Sequence, residues 1–256
     1  MLRAGRGEHH KDHTIERIET MKSKILFTVF LTCAATSGGA GFICAATPFE
    51  DPQIPDGETI TYTSRVGDRL LTITENVVLK REGERKLYEI TSRSEPLDRT
   101  IMLVKDSMAI KSVHTVRKFR EVTLDSRLTV IVETPPTSDK EIKLADFAVM
   151  TYVFRGFPFE KLEEMKIGFY GEESKRKYTF SAHYKNREKV EVNQQTIECH
   201  KIEFGMDGFW GAFLPKMKVW YSVDPPHYLV RYEGLVGPPG TPKRDVRLIS
   251  YQVIDK

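Results

Sequence analysis

The chain has 256 residues, 40% hydrophobic, 10% aromatic and 29% charged, with 39 basic against 36 acidic side chains. A formal charge of +3 excludes a strongly basic nucleic-acid binder, and 17 Gly plus 13 Pro beside that aromatic content exclude a disordered chain. The length suits one large β domain or two small ones.

The first informative segment is near the N-terminus. Ile25 to Ala46 holds no charged residue, and Lys22 and Lys24 stand just before it. Ile25 to Ala35 has the length of a secretory apolar region, and Cys44-Ala45-Ala46 offers the small side chains that a signal peptidase reads. Cleavage after Ala46 is expected, leaving residues 47–256 as one mature domain in the periplasm. The 22-residue run could instead remain as an uncleaved anchor. Its second half, Thr36-Ser37-Gly38-Gly39-Ala40-Gly41, is weakly apolar for that role. A lipid-anchored cysteine is disfavoured, because Thr32 precedes Cys33 and Ile43 precedes Cys44. Residues 1–20 read as an upstream extension before a second start at Met21. Removing residues 1–46 takes six basic and four acidic side chains, leaving 33 against 32. It also takes two of three cysteines, so Cys199 has no partner for an internal disulfide. Export without disulfides points to a bacterial envelope.

The mature chain reads as successive strands. Thr59–Val66, Leu70–Leu79 and Lys86–Thr91 come first, then Ile101–Val104, Val113–Val116, Val122–Leu124 and Leu128–Val132, closed by Pro135-Pro136. The pattern resumes at Tyr178–Tyr184, Lys189–Val192, Thr196–Phe204, Met217–Val223, Tyr228–Leu235 and Val246–Ile254. Such spacing with turn residues between predicts an antiparallel meander. Alternating polarity predicts one covered face and one wet face.

Leu144 to Gly156 breaks this period, being apolar on nearly all sides. It predicts a helix with Asp146 as N-cap, Arg155 in the last turn and Gly156 just past the end. A buried strand is the competing reading. A helix apolar all round has to be wrapped, and a twisted antiparallel sheet is the natural wrapping. The expected fold class is therefore mainly β: a single curved antiparallel sheet, or incomplete β-barrel, around one or two short helices.

Three stretches carry a family resemblance. They are Tyr152-Val153-Phe154-Arg155-Gly156-Phe157-Pro158-Phe159, the strand Gln195 to Phe204, and Val219 to Asp224 followed by Pro226 to Gly234. Their order resembles the exported bacterial family known as domain of unknown function 3108, over about residues 56–254. Val113 to Arg127 departs from that pattern. The family is similar to the lipoprotein-carrier folds of the LolA and LolB type, which implies an incomplete barrel closing over an apolar cavity and no catalytic residues.

Searching for chemistry returns little. The mature chain has four histidines, with no Cys-x-x-Cys or His-x-x-x-His spacing, so no metal and no cofactor is expected. Cys199 and His200 are adjacent, but neighbours on a strand point to opposite faces and cannot share a site. His227 follows the turn sequence Asp224-Pro225-Pro226, which suits a structural or solvated role. Gly234 to Gly240 carries two prolines, which remove the N–H donors that a phosphate loop needs. Two apolar clusters stand out: Phe147, Met150, Phe154 and Phe157 at helical spacing, and the loop Phe209 to Pro215 with Trp210 and Phe213, just before Trp220. Plain core explains both. The functional reading makes them the lid and mouth of a ligand cavity, with Arg155 and Arg231 as anchors for an anionic head group. The expected protein is thus exported and non-enzymatic, and it binds a lipid-like or amphiphilic molecule and no nucleic acid. The alternative is a structural or envelope-protein-binding module without a cavity.

Overall fold

Alternation of burial sets the backbone from Glu58 onward. In β1 (Glu58–Val66) the side chains of Glu58, Ile60, Tyr62 and Ser64 are buried, and Thr59, Thr61 and Thr63 between them are less so. That period of two marks a strand with one covered side. The computed structural model describes residues 49–95, 97–119, 122–129, 141–144, 149–170, 177–208, 211, 214–236 and 241–254. The predicted leader lies outside them.

Twelve further strands follow. They are β2 (Arg69–Glu82), β3 (Arg85–Ser94), β4 (Leu97–Val104), β5 (Ile110–Phe119), β6 (Val122–Thr129) and β7 (Glu141–Leu144), then β8 (Glu164–Tyr170), β9 (Lys177–Val192), β10 (Gln195–Met206), β11 (Met217–Ser222), β12 (Leu229–Leu235) and β13 (Lys243–Val253). They form one sheet in the order β6-β5-β4-β3-β2-β1-β13-β12-β11-β10-β9-β8-β7. Chain neighbours are sheet neighbours, and β1 also pairs antiparallel with β13. The middle of the chain therefore supplies both edges, and β6 and β7 leave the barrel unclosed. Every pairing is antiparallel except β7 with β8, which is parallel. A parallel pair needs a long crossover, and residues 145–163 provide it. Register shifts at Thr61/Tyr62, Met102/Leu103, Lys201/Ile202 and Trp220/Tyr221 mark bulges that bend the sheet. The main core unites residues of β1–β5 and of β8–β13 with the helix, so the sheet curves around that helix.

The meander is as expected, with differences in extent. Val122–Leu124 and the start of Leu128–Val132 form one strand, and the runs at Tyr178 and Lys189 fuse into the 16-residue β9. Lys185, Asn186 and Arg187 are exposed, so polarity alternation fades there while pairing to β10 continues. β7 and β8 are additional strands.

The helix is shorter than predicted. α1 spans Met150–Val153 and tightens into a 3-10 turn at Phe154–Gly156. Its N-cap is Val149, with no side-chain capping bond; Asp146 and Phe147 lie outside the described residues. Thr151, Val153, Tyr152 and Phe154 are weak helix formers, and a single turn cannot persist alone in water. Tertiary contacts hold it instead. The Tyr221 hydroxyl donates to the Thr151 carbonyl at 2.6 Å, and Phe154 packs against Phe49, Phe157 and Phe204 with ring centroids 5.7–6.2 Å apart. Pro158, not Gly156, ends the element, since the residue before a proline is pushed to extended geometry and Phe157 sits at φ −61, ψ 132. Gly156 is required by contact: a Cβ there would lie 2.3 Å from the Glu50 carbonyl oxygen.

Candidate functional site

The described members of the predicted site divide among three environments. Met150 lines a cavity beneath α1. Phe154 and Phe157 are core. Arg155 is not free to bind a head group. It donates through Nη1 and Nη2 to the two Glu58 carboxylate oxygens at 2.7 and 2.8 Å, and through Nε and Nη2 to the Pro226 carbonyl at 3.1 and 3.0 Å. Burial works against the Arg155 charge, but the Glu58 carboxylate outweighs it and raises the guanidinium above its ordinary range.

Trp220 and Arg231 face away from the helix. Trp220 belongs to a second cluster with Val190, Cys199 and Val230, apart from the main core that holds its neighbours Val219 and Tyr221. Lys201, Trp220 and Arg231 are cross-strand partners on β10, β11 and β12, and both cations lie over the indole, at 5.4 and 5.0 Å. The bulge at Trp220/Tyr221 turns Val230 and Arg231 to this same outer face. Arg231 pairs with Glu233. Trp210 and Phe213 lie outside the described residues.

Cys199 and His200 occupy opposite faces, as strand alternation requires. Cys199 is fully buried in the outer cluster, and burial first, then Glu188 and Glu198, pushes its thiol up to about 12. His200 lies inside, stacked on Phe159 with centroids 4.2 Å apart. Burial, followed by His227 and Arg187, lowers it to about 4, so it is neutral at pH 7. His227 Nδ1 bonds the Ser222 carbonyl at 2.9 Å, a structural role in its turn.

What lies under the helix is polar. Polar residues interrupt the inner rows of the strands: Glu75 stands between Ile73 and Val77 on β2, Ser92 follows Ile90 on β3, and Arg99 stands between Leu97 and Ile101 on β4. The register places Glu75 opposite Ser92, Ser92 opposite Arg99, and Arg99 opposite Thr115 of β5. One polar row therefore crosses four strands. α1 covers it, with Tyr152 donating its hydroxyl proton to Glu75. From β13, Arg244 completes the ring and donates from Nε to Ser64 at 2.9 Å; Arg99 donates from Nε to Thr115 at 3.2 Å. Among the described residues neither guanidinium has a carboxylate within 4.0 Å. Burial raises the Glu75 carboxyl to about 7, against the lowering effects of Tyr152 and Arg155. These groups, with Tyr62, Ile73, Met150, Leu229 and Val246, enclose about 90 Å³.

A larger groove of about 490 Å³ opens beside this cavity and shares Leu235 and Arg244 with it. Its rim carries Arg65, Lys216, Lys218, Lys243 and Arg244 against Glu233 and Asp245. Both carboxylates are engaged, Glu233 by Arg231 and Asp245 by Arg247, so the groove is electropositive. Sequence reasoning missed these residues because it sought anchors near the helix. The available signal was charge inside an otherwise apolar strand row, as in Ile73-x-Glu75-x-Val77. Among the described residues no cluster of His, Cys, Asp and Glu is placed to hold a metal, and no helix is long and apolar enough to cross a membrane.

No family model matches the chain, the 3108 family included, and no curated protein matches it. Solved structures do. A β-barrel-like protein of domain of unknown function 1849 from Brucella abortus is 8% identical over 78% of this chain and 98% of its own, with a TM-score of 0.41. The hypothetical lipoprotein YmcC from Escherichia coli is 10% identical over 78% and 92%, with a TM-score of 0.34. A LolA superfamily protein from Nitrosomonas europaea is 10% identical over 83% and 91%, with a TM-score of 0.25. Likeness at this level carries no ligand, partner or activity to this chain.

Proposed function

We propose that this is an exported, non-enzymatic protein of the bacterial envelope that binds an anionic amphiphile at the electropositive groove between β1, β11, β12 and β13. The leader pattern at Lys22 to Ala46 supports export to the periplasm. The observation that carries the binding reading is the position of the 490 Å³ groove beside the inner cavity, with Leu235 and Arg244 lining both. Its volume falls in the range of small-molecule sites, and lysine stems beside Pro215 and Leu235 offer apolar contact under charged heads.

The volumes bear on where such a molecule would lie. The space under α1 holds about three waters' worth of atoms, too little for an acyl chain. Phe154, Phe157, Phe204 and Tyr221 fill the rest of the concavity. The apolar part therefore lies along the groove and only the head reaches inward, unlike the chain-in-cavity arrangement that the sequence suggests. That filling favours a second reading, in which the concavity is simply core and the groove receives an envelope protein.

Native mass spectrometry of the protein purified from its own host tests both. A co-purifying amphiphile, lost on delipidation together with some thermal stability, is the expected result. No such mass, with no binding of a fluorescent fatty-acid probe, overturns the amphiphile reading and leaves the protein-binding one.

A further inference from the structure

We propose that the cavity beneath α1 is an oxyanion subsite, in which a small anionic group sits between Arg99 and Arg244 and enters together with protonation of Glu75. The inference deepens the groove reading by naming what recognises the head and how it is regulated. Its geometry stands without that reading.

The argument starts from charge. Arg99 on β4 and Arg244 on β13 come from strands four places apart in the sheet, and both line one cavity. Each spends Nε on a hydroxyl and meets no carboxylate within 4.0 Å among the described residues, and both guanidiniums border the cavity. A guanidinium fork fits an oxyanion edge-on. The groups facing Glu75 are Tyr152 from α1, Tyr62 and Glu58 from β1, Arg155 from the 3-10 turn, Ser92 from β3, Arg99 from β4, Tyr221 from β11, Tyr232 from β12 and Arg244 from β13. Arg155 and Glu58 neutralise each other at 2.7 Å. The balance left is therefore two cations and one carboxyl. With Glu75 ionised, an incoming anion meets a like charge in a site where water screens poorly. With Glu75 protonated, that repulsion is gone and both cations remain uncompensated. Burial already favours the protonated form near neutral pH.

Size agrees. About 90 Å³ suits a single carboxylate, sulfonate or phosphate group and not a chain. Arg244 lines both the cavity and the groove, so one guanidinium borders the two spaces.

The test is calorimetric titration of the full chain with octanesulfonate, whose charge is fixed over the working range, with inorganic sulfate as head alone and octyl glucoside as uncharged tail. With the Glu75 carboxyl near 7, octanesulfonate should bind about 30-fold more tightly at pH 5.5 than at pH 8.5. At pH 7, titrations in buffers of different ionisation heat should show proton uptake, a readout that needs no variant. Glu75→Gln should bind tightly at both pH values without uptake, and Arg99→Gln or Arg244→Gln should each weaken binding about tenfold or more. Equal affinity at both pH values, no proton uptake, or pH dependence retained in Glu75→Gln overturns the subsite. Binding of both octyl ligands alike without pH dependence sinks the subsite and keeps the groove reading. Sulfate binding with proton uptake, beside no gain from the octyl tail, keeps the subsite and sinks the amphiphile.

Discussion

The Arg155–Glu58 pair makes the sharpest prediction about how the site is held. Glu58 is 0% and Arg155 4% exposed at the side chain, and two hydrogen bonds join them at 2.7 and 2.8 Å. Arg155→Met would leave a carboxylate buried with no counter-charge and would take both guanidinium donors from the Pro226 carbonyl. Breaking one side of such a pair costs about 3–5 kcal/mol. For a domain of this size 1 kcal/mol moves Tm by about 2–4 °C, so a loss near 10 °C is expected. Replacing both partners, as Glu58→Met with Arg155→Met, removes the unpaired charge and leaves the Pro226 carbonyl wanting a donor, at about 1–3 kcal/mol, while the half-buried Tyr251 hydroxyl loses its Glu58 partner. The double variant should therefore be more stable than the Arg155→Met single, by about 2 kcal/mol. Urea unfolding at pH 7, followed by tryptophan fluorescence, measures all three. If the double loses the sum of the single losses, the two residues are not a unit and the mooring argument fails. The pair matters beyond stability because it ties the 3-10 turn to β1 and to the Pro226 turn. Met150, Thr151 and Tyr152, just before it, form the cavity roof.

Three other outcomes follow from the same geometry. Glu75 is protonated in the fold up to about pH 7 against an ordinary 4.5, so the native state binds the extra proton between those values and stability falls as pH rises through them. Glu75→Gln should remove that slope, gaining about 3 kcal/mol at pH 8 and nothing at pH 4, and calorimetric melts showing an unchanged slope would refute it. Cys199, with its thiol near 12, holds only about one thiolate in ten thousand at pH 8. Iodoacetamide should leave Cys199 unmodified in the folded protein and label it in urea, as read by peptide mass; rapid labelling of Cys199 in folded protein would contradict its burial. Gly156→Ala should cost about 1–3 kcal/mol, because the new Cβ meets the Glu50 carbonyl oxygen and Met108, and unchanged urea unfolding would show that the contact yields freely.

Strand positions and the wrapped helix were legible because period-two burial is a local property. Ile60 and Tyr62, Ile73 and Val77, Val246 and Leu248 announce their inner faces by themselves. The helix announced itself through Met150, Val153 and Phe154, but its length did not, since termination came from Pro158 and its stability from Tyr221 and the Arg155 pair. The role of Arg155 was hidden for the same reason: Glu58 is 97 residues away in sequence, and only the register of β1 under the 3-10 turn brings them together. Trp220 faces outward by plain alternation with Val219 and Tyr221, whereas Arg231 was misplaced by a bulge, which changes a facing by one residue and leaves no compositional trace.

The polar row asks for a different kind of reading, one made across strands. Glu75 alone is a charge in a strand, and so are Arg99 and Arg244. Each becomes informative only when set against its own row, where its next-but-one neighbours are apolar and buried. A charge set among apolar neighbours in an inner row cannot be plain core, because an unpaired buried charge is expensive. Glu75, Arg99 and Arg244 line one cavity, so they must either neutralise one another or enclose something that does. Here two guanidiniums face one carboxyl that burial raises to about 7, so that it is only partly ionised at neutral pH. The imbalance is therefore a property of the folded sheet itself, and an incoming anion is the simplest charge that completes it.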